Sequence, residues 1–212
     1  MKKVINIFFR KLLHLPKYIK FYYYIYWNRL YFYLVGIKYG SNMRVYNSIY
    51  LSIHGTVSIG DDLVFTSGAG FNSISRNIKG MIKTYKDAYL TIGNNVGIGG
   101  ANIFARKRIN IGNNVKIGGD CIIIDSDSHS LDYVERRNEH LHLKAHDKNI
   151  GMAPVNICDD VWLGARCVVL KGVTIGARSI IAAGSMVTKD IPADVIAGGN
   201  PCKVIRKIND EK

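Results

Sequence analysis

A period of six runs through most of this 212-residue chain. From residue 155 it divides into VNICDD, VWLGAR, CVVLKG, VTIGAR, SIIAAG, SMVTKD and IPADVI, and the third position of every hexad is apolar: Ile157, Leu163, Val169, Ile175, Ile181, Val187 and Ala193. The same ruler fits upstream at Ile53, Ile59, Phe65 and Phe71, at Ile92, Ile98 and Phe104, and at Ile111, Ile117 and Ile123. An ordinary sheet needs only a two-residue alternation, whereas strict six-spacing adds a corner after each short strand. The first position is small or β-branched at Val155, Val161, Cys167, Val173, Ser179 and Ser185. Gly60, Gly93, Gly99, Gly112, Gly118, Gly164 and Gly176 follow the ruler position, and Asn pairs follow at 94/95 and 113/114. Such residues tolerate turn conformations. The expected fold is all-β, a β-helix in which neighbouring coils bury one continuous apolar column.

The ruler fails over residues 72–89 and 124–154, and long excursions from a regular scaffold carry function or stay mobile. The first is basic through Arg76, Lys79, Lys83 and Lys86, and is either a solvated loop or the border of a substrate cleft. The second opens with DSDSHSLDY at residue 125. In an extended chain Asp125, Asp127 and His129 project together while Ser126, Ser128 and Ser130 point the other way. An imidazole beside a carboxylate takes a proton from a hydroxyl near neutral pH and is steadied as the cation forms. A metal site from Asp125, Asp127 and His129, or from His140, His142 and His146, is chemically open at this point. The four cysteines have no C-x-x-C spacing and read as reduced thiols, three of them filling small positions of the repeat.

The formal charge of +13 is uneven: residues 1–60 hold nine Lys or Arg and no Asp or Glu. Nucleic acid, an anionic membrane face and a phosphorylated small molecule all suit such a surface. Arg10 and Lys11 end the first apolar run too early for a signal peptide, and Asn28 with Arg29 splits the longest one below the length of a span. Beyond Pro16, Ile19, Tyr22, Tyr23, Tyr26, Leu30 and Tyr33 lie along one side of a helix. That helix either caps the end of the scaffold or lies at a lipid interface with Lys2, Lys3, Arg10, Lys11, Lys17, Lys20 and Arg29.

The stretch DSDSHSLD, followed after the loop by APVNICDDVWLGARCVVLKGVTIGARSIIAAGSMVTKDIPADVIAGGNPCKVIRKI, closely resembles the acetyl-CoA-dependent sugar O-acetyltransferases of the hexapeptide-repeat family, galactoside acetyltransferases among them. The resemblance covers residues 90–208 and is weak in the first forty. It implies a left-handed parallel β-helix, a triangular prism with three hexads per turn, so that seventeen hexads make five to six coils. It implies that His129 is the general base for direct transfer from acetyl-CoA to a sugar hydroxyl in a ternary complex, steadied by Asp127 or Asp125. Family members commonly carry a bulky aromatic residue where this chain has Ser128. By the same resemblance Trp162 lines the pantetheine arm, the backbone at Ala165 and Ala183 contacts coenzyme A, and Thr188, Lys189, Lys203 and Arg206 meet its phosphates. One family position, often Arg, is Lys203 here.

The expectation is therefore a basic, aromatic N-terminal helical segment, 1–45, and a β-helix transferase domain, 46–208, with the loop 124–154. It would be a cytoplasmic homotrimer acting on a sugar or lipid-linked saccharide, with membrane-surface contact through the N-terminal segment, no metal and no nucleic acid. The alternatives are N-acetylation of a nucleotide-linked amino sugar, acetylation of a xenobiotic, or a trimeric scaffold without chemistry.

Overall fold

The structure, a computed structural model, describes residues 2–68, 70, 74, 77–138 and 150–210, with backbone alone at 2–15 and 17. It is a left-handed parallel β-helix with three sheets. The first sheet stacks Lys38–Tyr39, Thr56–Ile59, Tyr89–Ile92, Arg108–Ile111, Val155–Ile157 and Thr174–Ile175. The second stacks Arg44–Tyr46, Val64–Thr66, Gly97–Gly99, Lys116–Ile117, Trp162–Leu163, Ile180–Ile181 and Val195–Gly198, and closes with an antiparallel strand, Lys203–Lys207. The third stacks Tyr50–Ile53, Met81–Thr84, Asn102–Ala105, Ile122–Ile124, Val168–Val169 and Met186–Val187.

Most ruler residues point inward, where Phe65, Ile123, Leu163, Val169 and Ile175 are fully buried, but at Phe104 the frame slips by one: Ile103 is the fully buried residue and Phe104 lies on the outer side. Their column is the core, and it supplies the main favourable contribution to folding. After the loop, Asn156 pairs with Thr174, Trp162 with Ile180 and Val168 with Met186, a step of 18 residues or three hexads. The excursions lengthen single steps: Thr56 pairs with Tyr89 and Ile109 with Val155. The register on either side is kept.

Two further details depart from the sequence reading. The first excursion is shorter than 72–89, because Met81–Thr84 is a strand of the third sheet and Ile82 is buried in the core. Ile82 lies ten residues before Ile92, out of frame with the ruler because the intervening corner is wide. Ala193 is exposed, since the last coil shortens and the apolar positions pass to Ile191, Val195 and Ala197. Phe71 lies outside the described residues.

The glycines after the ruler also act differently from expectation. Positive φ falls on Asn95 (54°) and Asn114 (58°), the second residues of the Asn pairs. At Gly118 the reason for glycine is space: a Cβ would lie 2.5 Å from the amide nitrogen of Ala165 on the next coil.

One end of the prism is sealed by helix α1, Lys2–Leu34. Ile25, Asn28 and Phe32 are buried against the first coil, and the Asn28 amide donates to the carbonyls of Val45 and Asn47, 2.9 Å each. Phe21 stacks on Tyr46 with centroids 4.4 Å apart. The stripe read from the sequence, Ile19, Tyr22, Tyr23, Tyr26, Leu30 and Tyr33, is on the opposite side and exposed. The cap therefore exists, but a different face of the helix makes it. Among the described residues no helix is long and apolar enough to cross a membrane.

Candidate active site

The second excursion leaves where the third sheet turns toward the first. Its base is a short antiparallel ladder: Ser126 bridges Met152, the Asp127 N–H donates to the Gly151 carbonyl (2.9 Å), and the Ala153 N–H donates to the Asp125 carbonyl (3.0 Å). The strand Ile122–Ile124 has ended by then, so the expected alternation is lost and the three candidate side chains differ in burial: Asp125 buried, Asp127 half-buried, His129 exposed.

Asp125 is fully buried. Its Oδ1 accepts from the Arg106 N–H (2.7 Å), and its Oδ2 accepts from the N–H groups of Lys107 (2.7 Å) and Arg108 (2.6 Å). The expectation that Asp125 projects beside His129 is thus corrected: its carboxylate is consumed in capping the corner of the preceding coil, where three amides would otherwise lack acceptors. Asp127 is half-buried and pairs with the Lys171 ammonium of the next coil. A Cβ at Gly151 would lie 2.6 Å from the Asp127 Oδ2 and 2.8 Å from the Lys171 Nζ, so glycine leaves the room this pair occupies.

His129 is exposed, on the link between that pair and a second clamp. The short helix α2, Tyr133–Asn138, is capped by Asp132, whose Oδ1 accepts from the Val134 N–H (2.7 Å). The Ser130 hydroxyl donates to the Glu135 Oε2 (2.7 Å), and Arg136 donates to the carbonyls of Ser130 (2.7 Å) and Leu131 (3.2 Å). The backbone is held on both sides of the imidazole.

Two adjoining clefts share Tyr85 and Arg106. One, of about 500 Å³, is lined by His54, Tyr85, Lys86, Arg106 and Met152. The other, of about 320 Å³, is lined by Tyr85, Phe104, Arg106, Ile122, Ile124, Ser126 and Ser128. The Arg106 guanidinium lies 3.9 Å from the Tyr85 ring centroid and the Lys83 Nζ 4.6 Å from it. Partial burial pushes the Tyr85 hydroxyl up, but the hydrogen bond from Lys83 and the charges of Arg106 and Lys83 outweigh it and hold it below the usual phenol range. Lys171, Tyr85 and Arg106 were missed from the sequence. Lys171 stands one coil beyond Asp125, a neighbourhood that the 46-residue step hides until the loop is known to be an excursion.

The residues implied for coenzyme A fall into two groups on one protomer. Thr188 and Lys189 are exposed just after Met186–Val187, on the same corner as Lys171. Trp162 is 54% exposed on the second sheet, with Lys116 and Ile180 as its ladder neighbours. Ala165 and Ala183 stack at the corner between the second and third sheets, and Lys203 and Arg206 lie on the closing strand of the second. The third sheet separates the groups. Among the described residues no three His, Cys, Asp or Glu are grouped to hold a metal ion, and His140, His142 and His146 lie outside those residues.

Residues 154–189 match the model of the bacterial transferase hexapeptide, six repeats. Over 57 residues, 27% of this chain and 28% of the relative, the sequence is 58% identical to the galactoside O-acetyltransferase of Escherichia coli K12. The chain spans about a third of the length of the curated relatives it matches. A solved galactoside acetyltransferase in complex with coenzyme A is 28% identical with a TM-score of 0.52, over 82% of this chain and 66% of that one. An N-acyltransferase from Bacillus cereus in complex with dTDP and coenzyme A, 16% identical with a TM-score of 0.57 over 82% and 86% of the two chains, shares the fold. The chain is thus similar to the hexapeptide-repeat acetyltransferases, as its motifs imply.

Proposed function

We propose that this hexapeptide-repeat protein is an acyltransferase that moves the acetyl group of acetyl-CoA to a hydroxyl of a sugar. The observation that carries the reading is the arrangement at the loop base. Ser126 and Ser128 line a cleft walled by Tyr85 and Arg106, and His129 follows on a segment pinned on one side by Asp127–Lys171 and on the other by Arg136. In that cleft the acceptor O–H gives its proton to the His129 imidazole as the oxygen attacks the thioester carbonyl. The C–S bond then breaks, and the departing thiolate takes the proton back from the imidazolium. Asp127 positions the segment through Lys171 and the Gly151 carbonyl.

Trp162, Ala165, Ala183, Lys203 and Arg206 would hold the donor from one protomer, and the His129 corner would be presented by another. This division supports a trimer, since the third sheet otherwise stands between them. The outer side of that sheet carries Phe104, Ile122, Ile124, Val168 and Met186, where a solvated strand would carry polar side chains. The first sheet shows the contrast with Thr91, Asn110, Asn156 and Thr174 in one hydrogen-bonded row.

Lys86 and Arg106 in the cleft walls, with Lys83 against the Tyr85 ring, favour an acceptor that itself carries negative charge, a uronic acid or a phosphorylated sugar. The test is coenzyme release, followed with a thiol reagent, against neutral sugars, acidic sugars, sugar phosphates and a nucleotide-linked amino sugar. Faster release with the acidic hydroxyl acceptors is expected. Release only with the amino sugar would move the reading to N-acetylation. Failure to bind acetyl-CoA in calorimetry would leave a scaffold.

A further inference from the structure

We infer that the outward face of α1 docks on an anionic phospholipid surface. The helix has two apolar sides, and the core uses one. Ile25, Asn28 and Phe32 close the first coil, while Tyr22 (56% exposed), Tyr26 (66%) and Tyr33 (71%) stand on the far side with Ile19, Tyr23, Leu30 and Leu34. A helix that only capped the prism would carry polar residues there. Tyrosine and tryptophan join an apolar ring to a polar tip, which suits the depth of lipid headgroups, and Trp27 borders the same stripe at 48% exposure.

Charge selects the occupant. The helix holds seven Lys or Arg and no Asp or Glu, with Lys20 beside the Tyr24 ring. The described cations flank the stripe and do not lie on it: Arg29 donates to the Met43 carbonyl (3.0 Å) on the capping side. Nucleic acid would satisfy the cations and leave Ile19, Leu30 and Leu34 in water. An anionic bilayer takes both, the rings and aliphatic chains at the interface and the cations on the headgroups. The helix spans about 50 Å, long enough to lie along the surface with the prism standing off it. Docking would bring the proposed acceptor cleft to saccharides linked to lipid, a consequence that rests on the acyl-transfer reading; the docking itself does not.

The test is co-sedimentation of the full chain with large vesicles of phosphatidylcholine containing phosphatidylglycerol, and with phosphatidylcholine alone. The triple variant Tyr22→Ser, Tyr26→Ser, Tyr33→Ser alters only exposed rings, and an unchanged Tm verifies its fold. Wild type is expected to bind the anionic vesicles, and the variant to lose about tenfold in partitioning, as is wild type on neutral lipid. Equal binding by variant and wild type, or no binding by wild type, would overturn the inference. So would a variant that sediments as a smaller species without lipid, because the face would then be buried between copies. The assay reads no catalysis, so its failure leaves the acyltransferase proposal untouched.

Discussion

Two corners of the same prism solve one problem in opposite ways. Where the first sheet turns into the second, four successive coils repeat the same device: a side-chain oxygen accepts the backbone N–H of the coil before it. Asp61 accepts from Ser41 (2.5 Å), Asn94 from Asp61 (2.8 Å), Asn113 from Asn94 (2.9 Å) and Asp159 from Asn113 (2.7 Å). Where the third sheet turns into the first, each coil differs. Thr84 accepts from His54 and Gly55, Asp125 takes three amides of the coil before it, and Asp190 accepts from Thr174. The uniform corner keeps the chain on its path. The varied one lets it leave, and there the clefts and His129 are found.

The varied corner is most sensitive at its imidazole. His129→Ala is expected to lower turnover by about 10² to 10⁴ with Tm unchanged, as loss of a general base does; steady-state coenzyme release reads it. Asp125→Ala is the inverse case, with three part-buried N–H groups losing their acceptor. It should lower stability by about 3 kcal/mol or more in a denaturant titration. If Asp125→Ala instead keeps its stability and loses activity, the distinction between a capping and a chemical aspartate fails.

Lys171→Met removes the partner of Asp127. We expect turnover to fall about tenfold, KM for acetyl-CoA to hold, and Lys171→Arg to restore most of the loss, a pattern that general destabilisation would not give. The smallest effect belongs to the uniform corner. Asn113→Ala should cost about 1 kcal/mol with kcat intact, because one exposed cap is lost and its neighbours stand.

The coil was legible because inward-facing side chains on a triangular prism must repeat every six residues, which is why Ile157 through Val187 declared it. Ile82 was not, because a wide corner shifts the frame. The pattern drew attention to the segment around His129 but misjudged Asp125: alternation holds only inside a strand, and the strand ends at Ile124. Lys171 and Arg106 are brought to the site by stacking across 46- and 19-residue offsets, distances that no local spacing reveals. In α1 the aromatic stripe was read correctly as one side of a helix, but the capping side, with its buried amide at Asn28, gave a weaker signal than the exposed one.

The ladder that joins Ser126 to Met152 makes the long excursion a detachable cassette. Both its ends emerge beside each other, so an insertion of any size between them leaves Ile122 over Val168 and the downstream coils in frame. A lineage can therefore exchange that one segment without re-evolving the rod that carries it.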